Sequence, residues 1–320
     1  MAQPVNTYDS YSQVGIREDL SDIITNISPE ETPFTSRCGK TKASNTLHEW
    51  QTDSLRSSAD NYHIEGDDTV ANAATPTVRL GNYTQIFKNA VVIPDTDEGI
   101  NKAGRGKEIA FEVLKIGKAQ KLDIEKALLD NQARSAGSST AGRRLAGVPA
   151  WLTTNTDFQS GSSGADPTGD GTDARTDDGS PTAFSQAKLD STMQAIWVSG
   201  GKPDTVYLSA FQMDVALDFT GNNNQRSTVA AKSGRNQVIN DIDVYMTPWG
   251  GIEFRPIREN RSRDVFVMQS DMWKIANLRP MKNTPLAKTG DNTKRQVLCE
   301  LSLVSKNEKA SGGIFDNTTS

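Results

Sequence analysis

The chain has only two cysteines in 320 residues, Cys38 and Cys299, far apart and in no metal-ligand spacing. That excludes a disulfide scaffold and implies reduced thiols. Histidine is equally scarce. His48 and His63 sit in no HExxH motif and in no His–Cys arrangement, so no metal site is expected. No apolar run approaches the roughly 20 residues that span a bilayer. The start, MAQPVNTYDS, lacks the basic and apolar regions of a secretory signal. Basic clusters are absent beyond Gly142-Arg143-Arg144, and the net charge is −5. Gripping duplex DNA requires a basic face that releases counterions, so tight nucleic-acid binding is not expected. Apolar residues are only 35% of the chain and mean hydropathy is −0.56. Both values point to long polar loops and extended arms.

Catalytic patterns are missing as well. Cys38-Gly39-Lys40-Thr41 ends like a phosphate-binding loop, but Phe34 stands where its first glycine belongs, and a turn is the better reading. Gly104-Arg105-Gly106 precedes a helical pattern without the third glycine of a dinucleotide motif. Asp166, Asp170 and Asp173 offer oxygen ligands, but not at the spacing of a calcium loop. No nucleophile-elbow signature accompanies either histidine. Asp67-Asp68 and Asp177-Asp178 lie in loops and read as solvated charge. No catalytic residue, metal or cofactor is therefore expected, and the chain does not read as an enzyme.

What the sequence does contain is one long helical pattern over 107–132. Ile109, Val113, Ile116, Gly117, Ile124, Ala127 and Leu128 recur at spacings of three and four and form one stripe. Lys115, Lys118, Lys121, Glu125 and Lys126 fall largely off it, with Lys121 and Glu125 placed as an i,i+4 pair. At 1.5 Å per residue this spine would be roughly 40 Å long. Ahead of it, residues 1–46 read as an arm, and two β-prone runs around 47–55 and 75–94 flank a polar tip at 56–74. A two-stranded ribbon is barely stable by itself in water, so it should be docked on a partner. His48 and Trp50 belong to that ribbon. Residues 155–182, rich in Gly, Ser, Thr and Asp, read as an exposed loop. A second helix is expected from Thr182 to Gly200, then a strand in KPDTVYLS and a short helix capped by Ser209. A meander follows, with one long strand over 295–304. Trp50, Trp151, Trp197, Trp249 and Trp273 are expected to pack in cores or subunit contacts.

Three stretches carry a resemblance: REDLSDIITNISPEETPFTS near the start, SGGKPDTVYLSAFQ in the middle, and LRPMKNTPLAKTGDNTKRQVLCELSLVSKNEKASGGIFDNTTS at the end. Together they resemble major head (major capsid) proteins of tailed double-stranded DNA bacteriophages, over nearly the whole chain and more weakly across 155–182 and 220–237. The resemblance implies an α+β architecture of the Hong Kong 97 type. Its parts would be an N-terminal arm (1–46), an extended β-hairpin loop (47–88), a peripheral domain (89–139 and 271–306) around the spine helix (107–132), and an axial domain (140–270 and 307–320). The implied function is structural: hexamers and pentamers of this chain close into an icosahedral virion shell around double-stranded DNA, assembled in the bacterial host cytoplasm.

The resemblance further implies a separate scaffold protein, a portal and a cement protein as partners, weak non-specific contact with packaged DNA, and no membrane. Some related shells cross-link through a lysine on the extended loop; residues 56–74 contain none, so non-covalent locking is expected. Intersubunit contacts are expected at Arg17, Glu18 and Asp19 of the arm and at Trp50, Tyr62, His63, Asp67 and Asp68 of the loop. The alternatives are an encapsulin-like nanocompartment shell of the same fold, or a soluble hydrolase, which the failed motifs disfavour.

Overall fold

The computed structural model describes residues 31–56, 58–68, 76–102, 106–158, 164–219, 228–230, 236–238 and 244–319. A five-residue helix α1 (Pro33–Arg37) has its proline in the first turn, where a missing N–H is harmless. The Cys38–Thr41 run that reads as a turn is instead strand-forming: β1 (Gly39–Lys42) pairs in parallel with a later strand. Next, β2 (Leu47–Thr52) and β3 (Val78–Tyr83) make an antiparallel ribbon, Leu47 opposite Tyr83 and Thr52 opposite Val78. β4 (Gln85–Pro94) follows after a single break at Thr84, then the short α2 (Asp95–Gly99) and the spine helix α3 (Glu108–Leu129). After β5 (Thr156–Asp157), α4 (Gln186–Val198) and α5 (Ala210–Leu217) flank β6 (Thr205–Leu208). Ser185 and Ser209 accept the N–H of Lys188 and Gln212 and cap the two helices. The rest is strand: β7 (Thr228–Ala230), β8 (Asn236–Val238), β9 (Val244–Thr247), β10 (Gly250–Pro256), β11 (Val265–Met268), β12 (Trp273–Pro285), β13 (Asn292–Ser305) and β14 (Gly312–Ile314).

Two sheets organise these elements. One has the order β1-β12-β13-β4, and the other β5-β14-β11-β6-β10-β9. Every residue of β6 and β11 is buried, because the second sheet has a core on each side. Val206, Leu208, Val265 and Val267 point to Leu189, Met193 and Ile196 of α4. Tyr207, Phe266 and Met268 point the other way, into a core shared with Ile124, Leu128 and Leu129 of α3 and with Trp151, Trp273, Ile275 and Leu303. Period-two alternation thus makes one sheet the wall between two cores.

Several expectations change here. The helical pattern drawn to Gln132 stops at Leu129. Beyond it the Gln132 carbonyl accepts Gly147 N–H, and the chain runs out beside 144–147. At 22 residues α3 is about 33 Å long. Its covered face is Gln120, Ile124, Glu125, Leu128 and Leu129, so the stripe is realised mainly in the C-terminal half, and Glu125 is buried rather than on an outer face. α4 starts at Gln186, not Thr182, because Thr182 bridges to Asn317 instead. Trp197 is 58% exposed, whereas Trp151 and Trp273 are fully buried. The polar stretch 164–182 is not simply solvated, since Arg175 and Asp178 are buried.

Candidate assembly surfaces and buried charges

The ribbon of β2 and β3 is anchored at its base by its own chain. Trp50 packs on Trp151, with ring centroids 5.3 Å apart, and Leu80 joins the same core. Buried Asn82 accepts Ala146 N–H at 2.8 Å and donates to the Leu303 carbonyl at 2.9 Å. Arg134 donates to the Gly81 carbonyl, and Arg79 pairs with Glu49 on the outer side. His48 lies 6.2 Å from the Trp50 ring, and burial holds its imidazole below the usual range.

Away from this base the ribbon has no cover. Described residues 53–56 and 58–68 are exposed throughout. Leu55, Tyr62 and Ile64 stand 98%, 85% and 82% open. Single exposed apolar residues are ordinary, but three large ones on one short uncovered segment mark a contact surface. A turn shapes the tip: Asp67 N–H donates to the Ile64 carbonyl at 3.0 Å, and Gly66 takes the left-handed φ of +85° that this turn requires. His63 Nδ1 is 3.5 Å from Asp67 Oδ2, and its Nε2 is 2.9 Å from Asn61 Oδ1.

Of the residues singled out in the sequence, the tip brings together Tyr62, His63, Asp67 and Asp68. Trp50 sits apart, in its own chain's core. Arg17, Glu18 and Asp19 lie outside the described residues.

Three buried polar arrangements escaped the sequence reading. At the join of ribbon and sheet, Glu300 takes Thr84 Oγ1 at 2.7 Å, Arg143 Nη2 at 2.6 Å and Arg279 Nε at 2.8 Å. Burial pushes its carboxyl up, but these three donors prevail and hold it below the usual range. On the spine, Glu125 accepts Phe34 N–H at 2.7 Å, Thr35 N–H at 2.9 Å and the Thr35 hydroxyl. A carboxylate borrowed from α3 therefore caps α1. Burial nevertheless raises its pKa, against those hydrogen bonds.

The third arrangement is a charge cluster joining 164–178, 261–264 and 316–317. Arg175 pairs with Asp166 and lies over Phe315; Arg261 pairs with Asp177; Arg263 Nη2 reaches Asp316 Oδ1 at 2.7 Å. Asp178, expected in solvent, is buried and donates its N–H to Asp316 Oδ1 at 3.1 Å. Burial pushes Asp264 up to about 7, with Asp177 adding to the shift and Arg261, 3.2 Å away, opposing it. No local pattern announces this cluster, because its members come from three segments. Among the described residues no group of three or more His, Cys, Asp or Glu side chains is placed to hold a metal ion, and no helix is long and apolar enough to cross a membrane.

A family model described as SU10 major capsid protein matches residues 3–318. The chain belongs to this capsid family. A major capsid protein of Escherichia phage Phieco32 is 30% identical over 351 residues, covering 98% of each chain. Solved structures agree at the level of fold. The capsid protein of a native GTA particle superposes with a TM-score of 0.63 at 8% identity, covering 97% of this chain and 98% of that one. The capsid of cyanophage P-SCSP1u gives 0.58 at 12% identity over 99% and 97%. A chain from Mycobacterium phage Adephagia gives 0.59 at 11% over 95% and 96%. The SU10-family chain is thus a tailed-phage major capsid protein with an α+β fold of the Hong Kong 97 type, and it builds the icosahedral shell of the virion. The exposed ribbon tip and the buried charges are features of a shell subunit.

Proposed function

We propose that hexamers and pentamers of this capsid protein form a closed shell around double-stranded DNA, with the extended ribbon lying over a neighbouring subunit. The observation that carries this reading is the tip, whose Leu55, Tyr62 and Ile64 have no cover in their own chain. Covering them on assembly buries apolar surface worth about 25 cal/mol per Å². Within such a shell, residues 1–46 serve as an arm and 47–88 as the extended loop. Residues 89–139 and 271–306 form the peripheral domain, and 140–270 and 307–320 the axial domain.

The role is mechanical, without catalysis. A net charge of −5 leaves packaged DNA in weak, non-specific contact with the wall. A separate scaffold, a portal and a cement protein complete the assembly, which takes place in the host cytoplasm. The tip residues Tyr62, His63, Asp67 and Asp68 and the arm residues Arg17, Glu18 and Asp19 are assigned to contacts between subunits.

Electron microscopy and sedimentation of the purified chain, with and without its scaffold, test this. Closed particles or discrete capsomers are expected. A chain that stays monomeric with scaffold present would overturn the reading.

A further inference from the structure

The four-stranded sheet is covered on one face only. Phe87 and Asn89 of β4 turn to α3, where Gln120 donates to the Phe87 carbonyl at 2.9 Å and Asn89 Nδ2 lies 3.5 Å from Asp123. Alternation along the strand sends Ile86, Lys88, Ala90 and Val92 to the opposite face, and all four are exposed there. Register extends that face across the neighbouring strands. Leu298 stands opposite Lys88, Lys282 opposite Leu298, and Lys294 opposite Val92. Three lysines therefore surround an apolar floor of Ile86, Leu298 and Val92. The one carboxylate that register adds to the face is Glu300, already engaged by Arg143 and Arg279. Lys88 and Lys282 have no acidic partner among the described residues.

The ribbon tip has the opposite chemistry. Asp60, Glu65, Asp67 and Asp68 are exposed around the open side chains of Tyr62 and Ile64. From Ile86 to Val92 the bare face is about 20 Å long, the reach of six or seven extended residues, and Tyr62 to Asp68 is a segment of that size.

We propose that the bare face of β4, β13 and β12 is the seat of the ribbon tip of a second copy, its acids meeting Lys88, Lys282 and Lys294 and its Tyr62 and Ile64 covering the apolar floor. This rests on the shell reading, in which the ribbon crosses to another subunit. Charge alone would also suit a nucleic-acid backbone. Phosphates, however, would leave Ile86, Val92 and Leu298 uncovered, whereas the tip supplies acids and apolar cover together.

A charge swap tests the pairing. One variant carries Lys88→Glu, Lys282→Glu and Lys294→Glu; a second carries Asp60→Lys, Glu65→Lys, Asp67→Lys and Asp68→Lys; a third carries both sets in one chain. Thermal unfolding of the unassembled proteins confirms that each folds. With scaffold supplied, each set alone should lower the yield of closed particles about tenfold or more, and the combined chain should recover most of it. Folded but unrescued combined chains would overturn the pairing. So would lysine variants that form normal shells and merely retain less DNA, which would make the face a DNA surface. As an independent measure, Ile64→Cys with Val92→Cys should give disulfide-linked oligomers in oxidised particles, and monomers only would also overturn it. If the unaltered chain forms no particle with scaffold, the shell reading fails instead.

Discussion

The guanidinium of Arg175 lies over the ring of Phe315, 3.6 Å from its centroid, while its Nη2 donates to the Leu152 carbonyl at 3.2 Å. A cation buried on an aromatic face and paired with Asp166 ties the 164–178 segment to the C-terminal residues. Removing one member of such a buried pair leaves the other charge uncompensated. Arg175→Ala is expected to lower stability by about 3–5 kcal/mol, read as a drop in Tm. Arg175→Lys should recover little, because an ammonium cannot reproduce the planar fork and stack.

Asp264 gives the same cluster a pH dependence. With its folded pKa near 7 and an ordinary carboxylate value when unfolded, the native state holds the proton more tightly. Its contribution is therefore fully present below about pH 4 and is lost as pH rises to about 7 and beyond. Asp264→Asn should remove that loss. The difference in Tm between variant and unaltered protein should move in favour of the variant across this window, and a flat difference would contradict it.

Glu300 has the opposite sign. Its folded pKa is depressed, so its contribution is present above the unfolded value and fades as pH falls through the folded one. Glu300→Ala strips Arg143, Arg279 and Thr84 of a shared acceptor. A loss of about 1–3 kcal/mol is expected at neutral pH, shrinking in acid, as denaturant titrations at several pH values would show.

Glu125 holds α1 against the spine through two backbone N–H groups and the Thr35 hydroxyl. Glu125→Ala leaves those donors buried without an acceptor, for a cost of about 1–3 kcal/mol. Amide exchange at Phe34 and Thr35 should accelerate more than exchange in the C-terminal turns of α3. Equal acceleration would mean that the spine, not the cap, has loosened.

Gly171 adopts φ +79°, and a Cβ there would sit 2.8 Å from the Trp151 ring. Gly171→Ala must therefore strain the backbone and push Trp151, which also supports Trp50 at the ribbon base. Lower Tm and altered tryptophan fluorescence are the expected readouts.

Much of the frame was legible because its signals are local. The spacing of Ile124 and Leu128 gives the spine, Ser209 caps α5, and Arg295 to Val304 falls within β13. What escaped depends on partners distant in sequence. Glu125 has the spacing of an outer-face salt-bridge residue until Phe34 and Thr35 arrive from 90 residues away. Asp178 has the look of loop charge until Asp316 folds against it. Trp50 shows the same limit, since its β-ribbon pattern is local but its packing on Trp151 is not. The exposed tip was readable as polar and turn-rich, but the sheet face that complements it requires the register of three strands.

β14, drawn from residues 312–314, lies in the interior of the six-stranded sheet, between β11 and β5. The ribosome releases this strand after nearly everything else, so the sheet cannot close while the chain is still being made. A product that stops short of residue 312 lacks an inner strand and leaves β11 with an open edge, a surface that invites mispairing or proteolysis. Completion of translation thereby becomes a checkpoint: only subunits that have received their final strand present the finished surface that a closed lattice can accept.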